Sequence, residues 1–349
     1  MKKPIIGNRV IKTGIAVFFT ALLCEFVQIT PAFAVVAAIV TIEPTIHASI
    51  QKGLIRLPAS MIGAAFAVLS IYLFGASPLT YTAAAFLTIV VCYKLKLHAG
   101  LIVATITAVA MIDVTHTSLW IDFLARLGGS VIGIVISTIV NMVILPPDYL
   151  KKSRQQLEVV INHTNQLLDD FIAIRIKQTE GSHPALVLTK SFQKLTEERL
   201  RLEQYIQQQQ SEMRYHLPNS EIKAILEEES AEARQLTLIH YHLWNLIHAG
   251  RSGKQLHWNK EQRDYYILAA EAVQQNLLRW TSTGCAINNK PFQDLFRLYW
   301  SIEIPENPEE AYFPIESIYL YELLSINQLI EEQQSGNTHL PQKKAVLSD

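Results

Sequence analysis

An all-α protein is predicted: a six-span integral membrane domain built as a 3+3 inverted repeat, followed by a cytosolic helical bundle. Three observations predict it. The first 147 residues are a succession of apolar runs with no strand-like alternation. Within them, Ile42, Glu43, Thr45, Arg56, Leu57, Ser60, Ile62 and Gly63 line up with Ile112, Asp113, Thr115, Arg126, Leu127, Ser130, Ile132 and Gly133, each 70 positions later. After Pro146-Pro147 the chain turns polar, and its apolar residues recur at helical spacing.

Composition agrees with two unlike parts, because 50% hydrophobic residues and a mean hydropathy of +0.18 are high for a soluble protein and low for one wholly in a membrane. Up to Leu145 there are nine Lys/Arg against four Asp/Glu, and the remainder holds 21 basic and 27 acidic residues. The overall charge of −1 thus hides a basic membrane half and an acidic soluble half. Cys24 and Cys92 lie in apolar runs and Cys285 lies far from both, so no disulfide framework is expected and a reducing compartment suits the soluble half.

The spans are drawn at about 10–30, 31–47, 56–74, 79–93, 98–114 and 120–145, several of them shorter than the ~20 residues of an ordinary span. Lys2, Lys3, Arg9 and Lys12 precede the first span, Lys52 and Arg56 follow the second, Lys94 and Lys96 the fourth, and Lys151, Lys152 and Arg154 the sixth. The alternate connections contain no Lys or Arg, so the positive-inside rule puts both termini in the cytoplasm and makes the chain a multi-pass protein of the cell membrane. Lys2, Lys3, the run Gly14–Leu23 and Ala32-Phe33-Ala34 resemble a cleavable signal peptide. The apolar character continues straight through that site into the repeat, so the first segment is read as a retained span.

Three spans per copy, an odd number, make the second copy enter the membrane from the opposite side. Arg56 then lies at the cytoplasmic start of span three and is open to two readings, an interfacial anchor or an anion ligand. Arg126 lies where basic residues are otherwise absent. A pair with Asp122, four positions earlier on a helix, would account for it; an anion-attracting role is preferred. Glu43 interrupts the second span beside Pro44, which breaks a helix, and broken helices at membrane depth persist where they line a cavity or are buried. Glu43 is therefore a candidate proton carrier or partner of Arg56, the alternative being a solvated helix end. Asp113 is its counterpart. Ser60, Gly63, Ala64 and Ala67 on span three, and Gly129, Gly133 and Ser137 on span six, are spaced for close helix packing.

In the soluble half, 148–334, helices are expected at about 148–180, 185–214, 219–251, 260–283, 291–302 and 314–334, with a disordered tail at 335–349. An antiparallel bundle is the economical arrangement. No Gly-rich phosphate loop, Gly-x-Ser-x-Gly or Cys-x-x-Cys occurs, so no enzyme and no cofactor is expected. His240 and His242, with His248 and His257 nearby, do not make a ligand set, since residues two apart on a helix diverge. No metal site and no nucleic-acid partner is expected.

The stretch from Phe33 to Thr45, with Lys52-Gly53-Leu54-Ile55-Arg56 and Gly63, resembles the signature of the aromatic acid exporter family in the fusaric-acid-resistance superfamily. It is also similar to the corresponding region of plant aluminium-activated malate transporters. The six-span half followed by a cytosolic helical domain looks like the bacterial single-repeat members. This resemblance implies an inner-membrane protein that moves organic anions as a homodimer. The leading expectation is export of aromatic or other organic carboxylates, with Arg56 and Arg126 attracting the anion, Lys52 on the same pathway and Glu43 as a proton-coupling group. A passive anion channel and a membrane-anchored partner-binding or sensing protein are the alternatives.

Overall fold

The computed structural model describes residues 7–113, 119–144, 148–177, 184–215, 220–249, 256–280, 290–301 and 314–337. Twelve α-helices account for most of them, and no strand occurs among the described residues. The chain divides into two compact units, one of residues 1–148 together with 210–218, the other of residues 149–209 and 219–349.

The first unit begins with α1 (Asn8–Phe26), α2 (Pro31–Thr41), α3 (Ile46–Phe74), α4 (Pro78–Lys94), α5 (Leu101–Ile112) and α6 (Leu119–Val143). Ile46–Phe74 and Phe123–Val143 are long and apolar enough to cross a bilayer, whereas Pro31–Thr41, Pro78–Lys94 and His98–Ile112 are apolar but shorter. Side chains are sorted by size. Ala16, Cys24, Ala38, Ala59, Ala84 and Ala104 are buried, while Phe26 (87%), Tyr72 (83%) and Ile102 (71%) are exposed. Small residues inside and large apolar ones outside suit lipid-facing helices, whose close packing comes from van der Waals contact between backbones.

The repeat is legible in three dimensions along all six helices. The long helix of each copy packs on the short helices of the other, α3 on α4 and α5, α6 on α1 and α2. An ideal Cβ on Gly63 would lie 2.2 Å from the Ala104 carbonyl oxygen, and one on Gly133 would lie 2.1 Å from that of Ala34. Both members of this crossing are 70 positions apart.

The first helices of the copies match at a different offset, 68. The buried stripe of α1 is Lys12, Ala16, Thr20 and Cys24; that of α4 is Thr80, Ala84, Thr88 and Cys92. Both helices end in a Schellman turn. Ile29 N–H donates to Cys24 O as Leu97 N–H does to Cys92 O, both at 2.9 Å, and Gln28 N–H donates to Glu25 O as Lys96 N–H does to Tyr93 O, both at 3.1 Å. Gln28 (φ 58) and Lys96 (φ 57) take the left-handed position that such a turn requires. The 3-10 turn His98–Gly100 before α5 coincides with the change of offset from 68 to 70.

The span boundaries shift most around the second connection, where α2 ends at Thr41 and not at about 47. Helix α3 starts at Ile46, ten residues before the expected start, because Thr45 caps it by accepting from Ala48 N–H at 3.1 Å. Lys52, expected between spans, and Arg56, expected at the start of span three, therefore sit inside α3; their charges interrupt the apolar run that marks a span.

The second unit holds α7 (Tyr149–Phe171, continued as a π-helical turn Ile172–Ile176), most of α8 (Pro184–Glu212), α9 (Ser220–Ala249), α10 (Lys260–Leu278), α11 (Lys290–Trp300) and α12 (Ile315–Asn337). Helix α10 opens with a capping box between Asn259 and Gln262. The core of this unit is aromatic, with Phe171, Tyr266 and Tyr319 buried together and Trp258 tilted against Tyr266. The expected tail is helical through Asn337 and otherwise lies outside the described residues, as does Cys285.

A polar seam crosses this unit. Glu229 accepts from Ser153 Oγ (2.6 Å) and Arg154 Nε (3.0 Å), Thr164 bonds His240 Nε2 (2.9 Å), and Glu322 pairs with His242 (2.5 Å) and accepts from Asn245 (2.9 Å). His240 and His242 thus face different partners, and His248 turns back to the Trp244 carbonyl.

Candidate functional site: a braced helix break and a buried arginine

Helix α2 stops at Thr41 and α3 starts at Ile46, so Ile42–Thr45 is a break between two apolar helices. A helix end leaves carbonyls without intrahelical donors, and burial makes that costly. Arg56 reaches back from α3 to supply them. Its Nη1 donates to Val40 O (2.8 Å), Nε to Ala99 O on the α4–α5 connection (3.2 Å), and Nη2 to Glu43 Oε1 (3.2 Å). Lys52 Nζ closes on the other carboxylate oxygen, Glu43 Oε2, at 3.1 Å. Of the three, only Lys52 is substantially exposed, at 42% against 12% for Glu43 and 9% for Arg56.

The break is braced from a second side by residues that the sequence reading passed over. Asn141 on α6 donates through Nδ2 to Glu43 O (3.1 Å), Thr45 O (3.4 Å) and Ser49 Oγ (2.9 Å). Lys12 Nζ, 5% exposed, donates to Asn141 Oδ1 at 2.8 Å. Ser49 Oγ in turn accepts from Glu43 N–H at 3.1 Å. Lys12 had been counted with the charges before the first span; in the structure it is part of the buried stripe of α1. A lone Asn in an apolar helix was the signal for Asn141, since polar side chains in such helices pair across to neighbours.

Arg126 stands apart from this network. It lies 15 residues before Asn141 on α6, about 22 Å along the helix axis. Only 6% of it is exposed, and its Nε and Nη2 are buried without a hydrogen-bond partner. The guanidinium carbon lies 3.1 Å from the centre of the Phe33 ring, a cation–π stack with α2. Beside it is a small cavity of about 10 Å³, lined from α3 by Leu57, Ser60, Met61 and Ala64 and from α6 by Phe123, Arg126, Leu127 and Ser130. Such a volume holds about one water. Leu57 with Leu127, and Ser60 with Ser130, are repeat-related, so the cavity lies where the two copies face each other. The side chain of Asp122, the expected helical partner of Arg126, lies outside the described residues.

Of the residues expected at the site, Glu43, Lys52 and Arg56 form one cluster and Arg126 another. Asp113, the counterpart of Glu43, accepts from the Tyr81 hydroxyl. Among the packing glycines, Gly63 and Gly133 sit at backbone crossings. Gly129 has its nearest neighbour, Ala34 Cβ, at 3.6 Å from an ideal Cβ, which is ordinary contact.

Comparison with known proteins gives two kinds of match. The family described as aromatic acid exporter family member 1 matches residues 4–144. A UPF0421 protein of Oceanobacillus iheyensis is 37% identical over 97% of this chain and 98% of its own length. UPF0421 proteins of Bacillus thuringiensis strain Al Hakam (36% identical over 95% of this chain and 93% of its own) and Staphylococcus saprophyticus (34%, 95% and 98%) are similar over the same extent.

Proposed function

Because this chain belongs by its residues 4–144 to the aromatic acid exporter family, and is matched along nearly its whole length by UPF0421 proteins, we propose that it exports aromatic or other organic carboxylate anions across the cell membrane. In this reading α1–α6 are six spans, the two three-helix copies are inverted, and both termini are cytoplasmic. The transported group is a carboxylate. Coupling to a proton gradient is part of the proposal, with Glu43 in the helix break as the group that exchanges the proton.

The observation that carries the reading is Arg126. A guanidinium with two buried, unpartnered nitrogens is expensive at membrane depth, and ionisable groups kept there mark substrate or ion pathways. Its Nε and Nη2 present the fork that matches a carboxylate in bidentate fashion. The Phe33 ring and the Ser60 and Ser130 hydroxyls add an aromatic face and neutral donors beside it. At about 10 Å³ the cavity is too small for an organic acid, so this conformation is a closed one, and α3 and α6 separate when substrate passes. Arg56 has a different part: all three of its nitrogens are committed to the break, where it holds the geometry of Glu43.

Efflux of radiolabelled benzoate from membrane vesicles, with and without a proton gradient, tests the proposal. Arg126→Ala is expected to lower the rate about tenfold or more, the worth of one charge-assisted hydrogen bond, with Arg126→Lys in between. Unchanged flux in Arg126→Ala removes that residue from the pathway. Benzoate current without a gradient would make the protein a channel.

A further inference from the structure

We propose that the C-terminal end of α8 and the turn after it are a latch on the α2–α3 break, in which the Glu212 carboxylate holds the place at the N-terminus of α3 that a departing organic carboxylate takes when transport begins. The proposal rests on the transport reading above and adds to it a regulatory contact within the chain.

Residues 210–218 lie far along the sequence from α1–α6, yet they belong to the same compact unit. Glu212 is 2% exposed, and its Oε1 accepts from Ile46 N–H, the first backbone donor of α3, at 2.6 Å. A helix N-terminus carries partial positive charge and unsatisfied N–H groups, so a carboxylate there is doubly favoured. One residue on, His47 Nδ1 and the Tyr215 hydroxyl are 2.9 Å apart and their rings lie 5.8 Å centre to centre. Two successive residues of α3 are therefore gripped by the last residue of α8 and a residue of the turn after it.

The gripped residues lie three and four positions after Glu43, whose carboxylate is bridged by Lys52 and Arg56. A carboxylate from the cytoplasm drawn to Lys52 meets Glu212 already seated on the neighbouring helix end. The protein's own anion thus competes with the substrate for the same electrostatic feature. Displacement of the latch frees Ile46 N–H and opens the break together.

The test is efflux of benzoate from vesicles. Glu212→Gln keeps the acceptor but removes the charge, and is expected to raise the initial rate about threefold or more, with Tyr215→Phe acting in the same direction. A merely structural contact gives the opposite sign. The double variant His47→Cys with Tyr215→Cys, joined by a short bis-methanethiosulfonate, is expected to fall below about a tenth of its uncrosslinked rate and to recover with reductant, the single-cysteine variants serving as controls. Wild-type efflux with an unaffected crosslinked variant, or with Glu212→Gln unchanged or slower, overturns the latch alone. A wild type that moves no carboxylate overturns the transport reading, and the latch with it.

Discussion

Arg56 and Arg126 stand 70 positions apart at matching places in the two copies, and they are in opposite hydrogen-bonding states. Every nitrogen of Arg56 donates, to Val40 O, Ala99 O and Glu43. Two nitrogens of Arg126 have no hydrogen-bond partner among the described residues. The same side chain at equivalent positions thus does two jobs, bracing a helix break in one copy and, in the other, placing a guanidinium with two nitrogens unbonded among the described residues at the face between copies.

Their substitutions are expected to separate stability from transport. Arg56→Ala takes one of two cations from the Glu43 carboxylate and the donors from two half-buried carbonyls, and each group left short of a partner costs about 1–3 kcal/mol. Arg126→Ala loses the desolvated contact with Phe33, about 2 kcal/mol, and is relieved of burying two guanidinium nitrogens that have no hydrogen bond among the described residues, so the two effects offset. Thermal unfolding of the detergent-purified protein is expected to show a large drop for the first and little change for the second. A drop in Arg126→Ala comparable with that in Arg56→Ala would show that Arg126 is a structural strut.

The two backbone crossings give a sharper comparison. A Cβ at Gly63 or Gly133 lands on a carbonyl oxygen, at 2.2 and 2.1 Å, and helix backbones must move apart to admit it. Gly63→Ala and Gly133→Ala are each expected to lower stability by about 1–3 kcal/mol, the usual cost of overpacking. Gly129→Ala meets ordinary contact distances and gains helix propensity, so it is expected to be neutral or slightly stabilising. Equal melting temperatures for all three variants would contradict this placement of the crossings.

The all-helical class and the second half of each copy were legible because charged and Gly residues stand out in apolar sequence: Glu43, Arg56 and Gly63 could be matched to Asp113, Arg126 and Gly133 by eye. The first helices were not, although their buried stripes agree at every fourth residue. Their shared residues are Ala, Thr and Cys, which recur by chance in apolar helices, and the offset there is 68 instead of 70. Arg56 was legible as functional or interfacial but not as a brace, because its partners at Val40 and Ala99 are backbone carbonyls, which every residue carries. The contact of Glu212 with Ile46 has no sequence signature at all, since a glutamate near the end of a polar helix is what any solvated face contains.

Asn141 is expected to be as sensitive as the charged residues. It joins α6 to the break through three acceptors and receives Lys12 on its own oxygen. Asn141→Leu, close in volume, leaves Ser49, two carbonyls and the Lys12 ammonium short of partners, at about 1–3 kcal/mol for each group left unsatisfied. Asn141→Asp keeps an acceptor for Lys12, losing the donor to the break. The order of melting temperatures expected is wild type, then Asn141→Asp, then Asn141→Leu. Lys12→Met combined with Asn141→Leu is expected to recover part of the loss, because the ammonium is then no longer left without that acceptor. Additive losses in the double variant would mean that the two residues do not act through each other.

In the second unit, His240 supplies a pH prediction with a defined sign. It is buried against Thr164, and burial, with Arg199 adding repulsion, lowers its pKa from 6.5 to about 3. The folded protein therefore keeps this imidazole neutral where the unfolded chain would protonate it. Between about pH 6.5 and 3 the unfolded state binds the extra proton, so stability falls as pH falls, with a slope of up to ~1.4 kcal/mol per pH unit from this one group. Above pH 6.5 both states are neutral and the contribution is flat. Denaturant unfolding of the purified protein, followed by tryptophan fluorescence at pH 7.5, 6.0 and 5.0, is expected to show a steeper loss for wild type than for His240→Gln, which has no proton to gain. Parallel curves for the two proteins across that range would mean that His240 is protonated in the folded state, and that the polar seam around Thr164 accommodates the charge.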